Sequence, residues 1–236
     1  QAHMAEFGTT QAQFAEVAVA ARRHAVLNPA AQMRDLITVD DVLSSRLIAD
    51  PLHLLDCSLV SDGGAAIILT SSEKAKDFQH APVYLLGAGE GHSHEHVSQA
   101  RSLTTSAAKE SGDLAYEMAG LSASDIDFAQ LYDCFTPTVI IELEDLGFCG
   151  KGEGGAYVEG NRLGPGGELP VNTHGGLLSH SHSGNPGSLF AVTETTQQLR
   201  GDLGDRQISG ARVGLVHGQG GIMSSHTTLI FGSEGN

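Results

Sequence analysis

Apolar residues recur at three- and four-residue spacing across TTQAQFAEVAVAARRHAV, residues 9–26. That period predicts a helix with one buried face. Its leading hydroxyls predict a cap near Thr10, and Asn28-Pro29 ends it, because the residue before proline is pushed out of the helical region. Residues 30–52 alternate polar turns with short apolar pieces, with a short helix over DDVLSSRL. LLDCSLVSDGGAAIILTS, residues 54–71, predicts two buried strands around the turn SDGG. AAIIL is apolar without alternation, as in a strand covered on both faces. SSEKAKDF then reads as a short helix, and Pro82 marks the main boundary.

Beyond Pro82 the period changes repeatedly. PVYLLGAGEG reads as a strand, residues 103–119 as a helix stopped by Gly120, and SASDIDFAQLYD as a cap followed by a strand. FTPTVIIELEDLGF is a helix with Gly147 as its stop. A glycine-rich excursion over 150–168 leads into a short strand, LPVNTHGG, and a helix, GSLFAVTETTQQLRG. ARVGLVHGQGG and SSHTTLIFG finish the chain as adjacent strands. The order β-α-β-α-β-α-β-β predicts an α/β fold, a mixed five-stranded sheet layered with helices.

The chain has 236 residues and a formal net charge of −15. So acidic a protein lacks the basic face that nucleic acid or an anionic membrane surface requires. No apolar run is long enough to span a bilayer, and QAHMAEFGTT is not a secretory signal. Cys57, Cys134 and Cys149 are odd in number and widely spaced, with no CxxC. A disulfide framework is therefore not expected, and a reducing, cytoplasmic setting is.

Three stretches carry candidate chemistry. NTHGGLLSHSHSGNPGSL, residues 172–189, sets His174, His180 and His182 before a helix, where the field of the helix terminus favours neutral imidazole. The alternative is a polar surface loop. LYDCF, residues 131–135, places a phenol, a carboxylate and a thiol at a strand end entering a helix, where a thiol can act as nucleophile or acid/base. The alternative is an inert buried Cys beside a core Tyr. VHGQGG, residues 216–221, can aim backbone N–H groups at a ligand or be an ordinary hairpin. HSHEH, residues 92–96, has histidines at period two but no clear carboxylate partner, so an exposed loop is expected and no metal.

In order, HMAEFGTTQAQFAEVAV, SDGGAAIIL, AGLSASDID, YDCF, NTHGGLLSHSH, QLRG and VHGQGG resemble the thiolase superfamily over nearly all of the chain. The resemblance is strongest to the sterol-carrier-protein-type and bacterial thiolase-like branch. It implies a thiolase fold in which residues 1–81 are the end of the loop region and last strands of the N-terminal domain. Residues 82–236 are then the C-terminal domain, and the N-terminal half is largely missing. The implied activity is acyl transfer on coenzyme A thioesters, by thiolysis of 3-ketoacyl-CoA or Claisen condensation. The alternatives are retro-aldol cleavage of a 3-hydroxyacyl-CoA with an OB-fold, zinc-containing partner, or a non-catalytic acyl-CoA-binding or scaffold subunit.

Carried over by motif, Cys134 is the acid/base thiol. His182 activates the nucleophile and binds the thioester oxygen, with His174 and His180 as its polar surroundings. His217 occupies the final catalytic loop. Tyr132 stands where the family has His or Asn, and Ser183 where it has Pro. The family's nucleophilic Cys lies in the preceding half, and Cys57 does not replace it. The chain is thus expected to be a fragment, a processed product or one half of a split enzyme. It is expected to act as a homodimer or higher oligomer, without a metal of its own.

Overall fold

In a computed structural model of the chain, residues 1–184 and 187–235 are described. Asn185 and Pro186 of the histidine-rich stretch lie outside the described residues.

The first part of the chain carries helices separated by long irregular stretches. It contains α1 (Ala2–Phe7), α2 (Gln11–Leu27), α3 (Val39–Ser44), a small antiparallel pair β1 (Leu47–Ala49) and β2 (Leu52–His53), and the single turn α4 (Ser72–Ala75). Thr10 caps α2 through a reciprocal box: its hydroxyl accepts the Gln13 N–H, and the Gln13 side chain accepts the Thr10 N–H. The buried face of α2 carries Phe14, Val17, Ala20 and Ala21 into the main core. There they meet Val139, Ile140 and Leu143 of α6 (Thr136–Asp145). Each large side chain so buried contributes about 1.5–3 kcal/mol.

The remaining elements are β3 (Tyr84–His92), α5 (Ala108–Ala119), β4 (Phe128–Gln130), α7 (Gly154–Tyr157), α8 (Gly187–Arg200), β5 (Val213–Gly220) and β6 (Ser225–Gly232). The sheet has the order β3-β6-β5-β4, antiparallel except for the parallel β4–β5 pair. Helix α5 lies directly on β3: a Cβ at Gly87 or Gly89 would come within 2.1 Å of the Ala115 or Ser111 carbonyl oxygen. Those two positions must be glycine for helix and strand to approach so closely.

Three expectations change. The sheet has four strands among the described residues. The predicted strand in LPVNTHGG contributes only a parallel bridge, Ala129 to Val171, because the chain turns at Asn172, which has φ +56°. Residues 58–71 form no strand. A run as apolar as AAIIL becomes a buried strand only when neighbouring strands cover it, and no described strand pairs with it. Val60, Ile68 and Leu69 are 99%, 89% and 81% exposed. Helix α5 begins at Ala108, five residues after the predicted start.

Candidate active site

The site is assembled from LYDCF, the histidine-rich stretch and an extended strap over residues 57–61. LYDCF follows β4, and Phe135 leads into α6. Asp133 is fully buried and turns toward the neighbouring loop. It accepts the Leu177 N–H through Oδ1 at 2.7 Å and the Leu178 N–H through Oδ2 at 3.3 Å. These are the opening amides of a π-helical turn, Gly176–His180. Gly176 has φ +64°, and a Cβ there would lie 2.0 Å from Asp133 Oδ2. Glycine is therefore required for the carboxylate to reach the turn. Burial raises the Asp133 carboxyl to about 6, against the lowering effect of those amides.

The strap stitches both loops from outside. Ser58 N–H donates to the Cys134 carbonyl, Leu59 N–H to the Leu177 carbonyl and Ser61 N–H to the His182 carbonyl. The Ser61 hydroxyl accepts the His182 N–H at 2.8 Å. On the ring itself, Nδ1 lies 2.8 Å from Ser58 Oγ, and Nε2 lies 3.2 Å from the Tyr132 hydroxyl. Burial lowers the His182 imidazole from its ordinary value, opposed by the Leu59 carbonyl. Burial raises the Tyr132 phenol, with Cys134, Asp133 and Glu142 adding to the effect. Both groups are thus neutral near pH 7. In the arrangement that fits, the phenol donates to Nε2 and Nδ1–H donates to Ser58.

The Cys134 thiol faces Thr138 Oγ1 at 3.7 Å, and burial pushes its pKa up to about 12. It is a protonated thiol whose nearest polar partner is on α6. Cys57 donates its thiol to the His53 carbonyl, and burial raises it too. Neither has the electropositive surroundings of a reactive thiolate.

The end of β5 approaches through the start of α8. A Cβ at Gly187 would lie 3.4 Å from the His182 ring, and one at Gly218 3.4 Å from Ser188 Oγ. His217 itself is buried behind the site, with Nδ1 at 2.9 Å from Thr228 Oγ1 and Nε2 at 3.0 Å from His226 Nδ1. Glu142 connects that interior to the site, since its Oε2 accepts the Tyr132 backbone N–H at 3.0 Å. His174 is buried, with Nδ1 3.2 Å from Gln130 Oε1, and meets His180 edge-on. His92 and His96 of HSHEH are exposed, and His94 is half-buried with Nε2 2.9 Å from the Ile222 carbonyl.

The structure places Tyr132 beside His182, and Ser58, Ser61 and Glu142 join them without having been singled out in the sequence. The serines sit in what reads as a buried strand. Glu142 lies ten residues beyond Tyr132 on a helix whose neighbours are all apolar or acidic, and only its burial marks it.

The family model for thiolase C-terminal domain-like proteins matches residues 89–233. An acetyl-CoA acetyltransferase of Methanothermobacter thermautotrophicus is 38% identical over 97% of this chain and 60% of its own length. A steroid side-chain-cleaving aldolase of Thermomonospora curvata is 40% identical over 85% of this chain and 54% of its own length. Among solved structures, the Ltp2–ChsH2 (DUF35) aldolase superposes with a TM-score of 0.90 at 36% identity, over 98% of this chain and 60% of that one. The chain thus spans somewhat more than half the length of these relatives. No helix among the described residues is long and apolar enough to cross a membrane.

Proposed function

The chain belongs to the thiolase family, matching its C-terminal domain, and from that premise we propose that the whole protein makes or breaks carbon–carbon bonds in coenzyme A thioesters. Within that class we infer retro-aldol cleavage of a 3-hydroxyacyl-CoA. The observation that carries the choice is the 3.2 Å contact between the Tyr132 hydroxyl and His182 Nε2.

Retro-aldol cleavage removes a proton from the β-hydroxyl, breaks the Cα–Cβ bond and leaves a carbonyl product and a thioester enolate. The enolate then takes a proton at Cα. A phenol ordinarily ionises near pH 10 and is a poor base alone. Here the phenol can pass its proton to neutral His182 as it receives one from the substrate, so no free phenolate need accumulate. Ser58 holds Nδ1, which leaves Nε2 free to accept. The imidazolium so formed returns the proton by way of the phenol to the enolate carbon, and protons balance over the cycle.

A second reading, thiolysis of a 3-ketoacyl-CoA, is favoured by His182 at the position of the family's catalytic histidine. It requires a nucleophilic cysteine from another part of the protein. It also requires Cys134 to exchange protons, and the thiol's raised pKa and Thr138 partner speak against that. The aldolase reading carries with it a separate OB-fold partner. Either reading accounts for the exposed apolar run over residues 60–69 as surface covered by another half or subunit of the assembly.

The test is Tyr132→Phe in the full-length protein with any required partner, assayed on a 3-hydroxyacyl-CoA and on a 3-ketoacyl-CoA with free CoA. Loss of aldol cleavage by roughly 100- to 10,000-fold is the expected result. Thiolysis that barely changes, with no aldol cleavage in the parent, overturns the reading.

A further inference from the structure

Behind the site, Glu142, His217 and His226 meet in the interior, each at most 1% exposed. One potential ligand atom from each lies within 4.8 Å of the others. Glu142 Oε1 and His226 Nε2 have no hydrogen-bond partner. A buried carboxylate oxygen and a buried imidazole nitrogen left unpaired each cost free energy, and both belong to this one cluster.

One arrangement of protons satisfies the surrounding hydrogen bonds and leaves a lone pair facing the cluster. Ser111 donates its only hydroxyl proton to the Ala108 carbonyl. In the 2.8 Å contact between Ser111 Oγ and Thr228 Oγ1, Thr228 is therefore the donor. With its proton spent, Thr228 can only accept from His217 Nδ1. Neutral His217 then presents a lone pair at Nε2. Anchoring the distal nitrogen on an oxygen while Nε2 points inward is how a metal-ligating histidine is held. Glu142 is oriented in the same manner, with Oε2 occupied by the Tyr132 N–H and Oε1 free.

We propose that Glu142 Oε1, His217 Nε2 and His226 Nδ1 bind a divalent transition-metal ion of the zinc class, tying the β5–β6 hairpin to α6 behind Tyr132. Four-coordinate zinc, with bonds of about 2.0–2.1 Å, separates its ligand atoms by roughly 3.3 Å. The present separations are 3.0 Å between His217 Nε2 and His226 Nδ1 and 3.9 Å between Glu142 Oε1 and His217 Nε2. The ligand atoms of Glu142 and His226 lie within 4.8 Å of each other, so the ligands draw together as the ion binds. Two imidazoles and one carboxylate suit zinc rather than magnesium or calcium, which take oxygen ligands. On binding, any proton on Glu142 leaves to solvent. His226 coordinates through Nδ1 with its proton on Nε2, the tautomer that can donate to the Met223 carbonyl, and Glu142 Oε1 gains the partner it lacks.

The test uses the full-length protein purified without partner, stripped with chelator, loaded with zinc or cobalt and desalted. Metal content is compared in the parent, in Glu142→Gln, in His226→Gln and in a control with His92, His94 and His96 changed to Asn. The expected result is one equivalent fewer in each of the first two variants, no loss in the control, and intense visible bands of four-coordinate cobalt in the parent. Equal content in the parent and both buried-site variants overturns the proposal, as does loss confined to the surface control. Should the buried-site variants not fold, the parent decides: no retained metal, or only the weak bands of six-coordinate cobalt, overturns it.

Discussion

Asp133 Oδ1 accepts the Leu177 backbone N–H at 2.7 Å, joining two motifs that lie 44 residues apart in the sequence. The carboxylate of one motif thereby fixes where the histidines of the other begin. Asp133→Ala leaves the Leu177 and Leu178 amides buried without acceptors. Each orphaned donor costs about 1–3 kcal/mol, so a loss of roughly 2–6 kcal/mol is expected in denaturant unfolding. Asp133→Asn keeps one carbonyl acceptor and loses less.

Gly176→Ala tests the same junction from the other side. Backbone strain at φ +64° costs on the order of 1–3 kcal/mol, and the methyl group collides with Asp133 Oδ2. Lower stability is expected together with lost activity, read by thermal unfolding and turnover in one preparation. Unchanged stability would mean that the turn does not need a left-handed residue.

Ser58→Ala removes the partner of His182 Nδ1 while leaving the strap's backbone bonds in place. A lost hydrogen bond of about 1 kcal/mol corresponds to a several-fold fall in turnover. The expected signature is a changed pH profile with thermal stability nearly unchanged, since the tautomer of His182 is no longer fixed.

His24 supplies a pH test of stability away from the site. Its ring, held at 2.9 Å by the Leu163 carbonyl, is lowered from 6.5 to about 4, chiefly by burial. Its folded-state pKa is depressed, so the unfolded chain binds the extra proton. The stability it contributes is present above pH 6.5 and lost as pH falls toward 4. The size of that loss is roughly 3 kcal/mol. Asp133, raised from 3.8 to about 6, acts with the opposite sign in this window: its contribution is full below pH 3.8 and declines as pH rises through 6. The useful quantity is therefore the difference between parent and His24→Gln. Urea midpoints between pH 4 and 7 should fall less steeply on acidification in the variant.

The helices and the final hairpin are legible because each announces itself locally. Thr10 with Gln13 caps α2, Gly120 in the left-handed region stops α5, and alternating burial marks β6. Tyr132 and His182 each stand out through the ordered motifs rather than through periodicity, and their contact is visible only in the fold. What stays hidden depends on distant partners. AAIIL carries strand composition but no neighbouring strand. Ser58 and Ser61 look like any serines until the strap folds across His182. His217 reads as part of a strand running into a Gly-rich turn at the site, yet the register of β5 against β6 turns it inward, where it meets His226.

The strap also has a kinetic consequence. Ser58 and His182 lie 124 residues apart in the sequence, so their contact forms only after the intervening chain has found its place. Contacts of such high sequence separation close a large loop and are slow to form. After dilution from denaturant, helical signal from local elements such as α2 and α5 should recover first, and turnover should return only with this late closure.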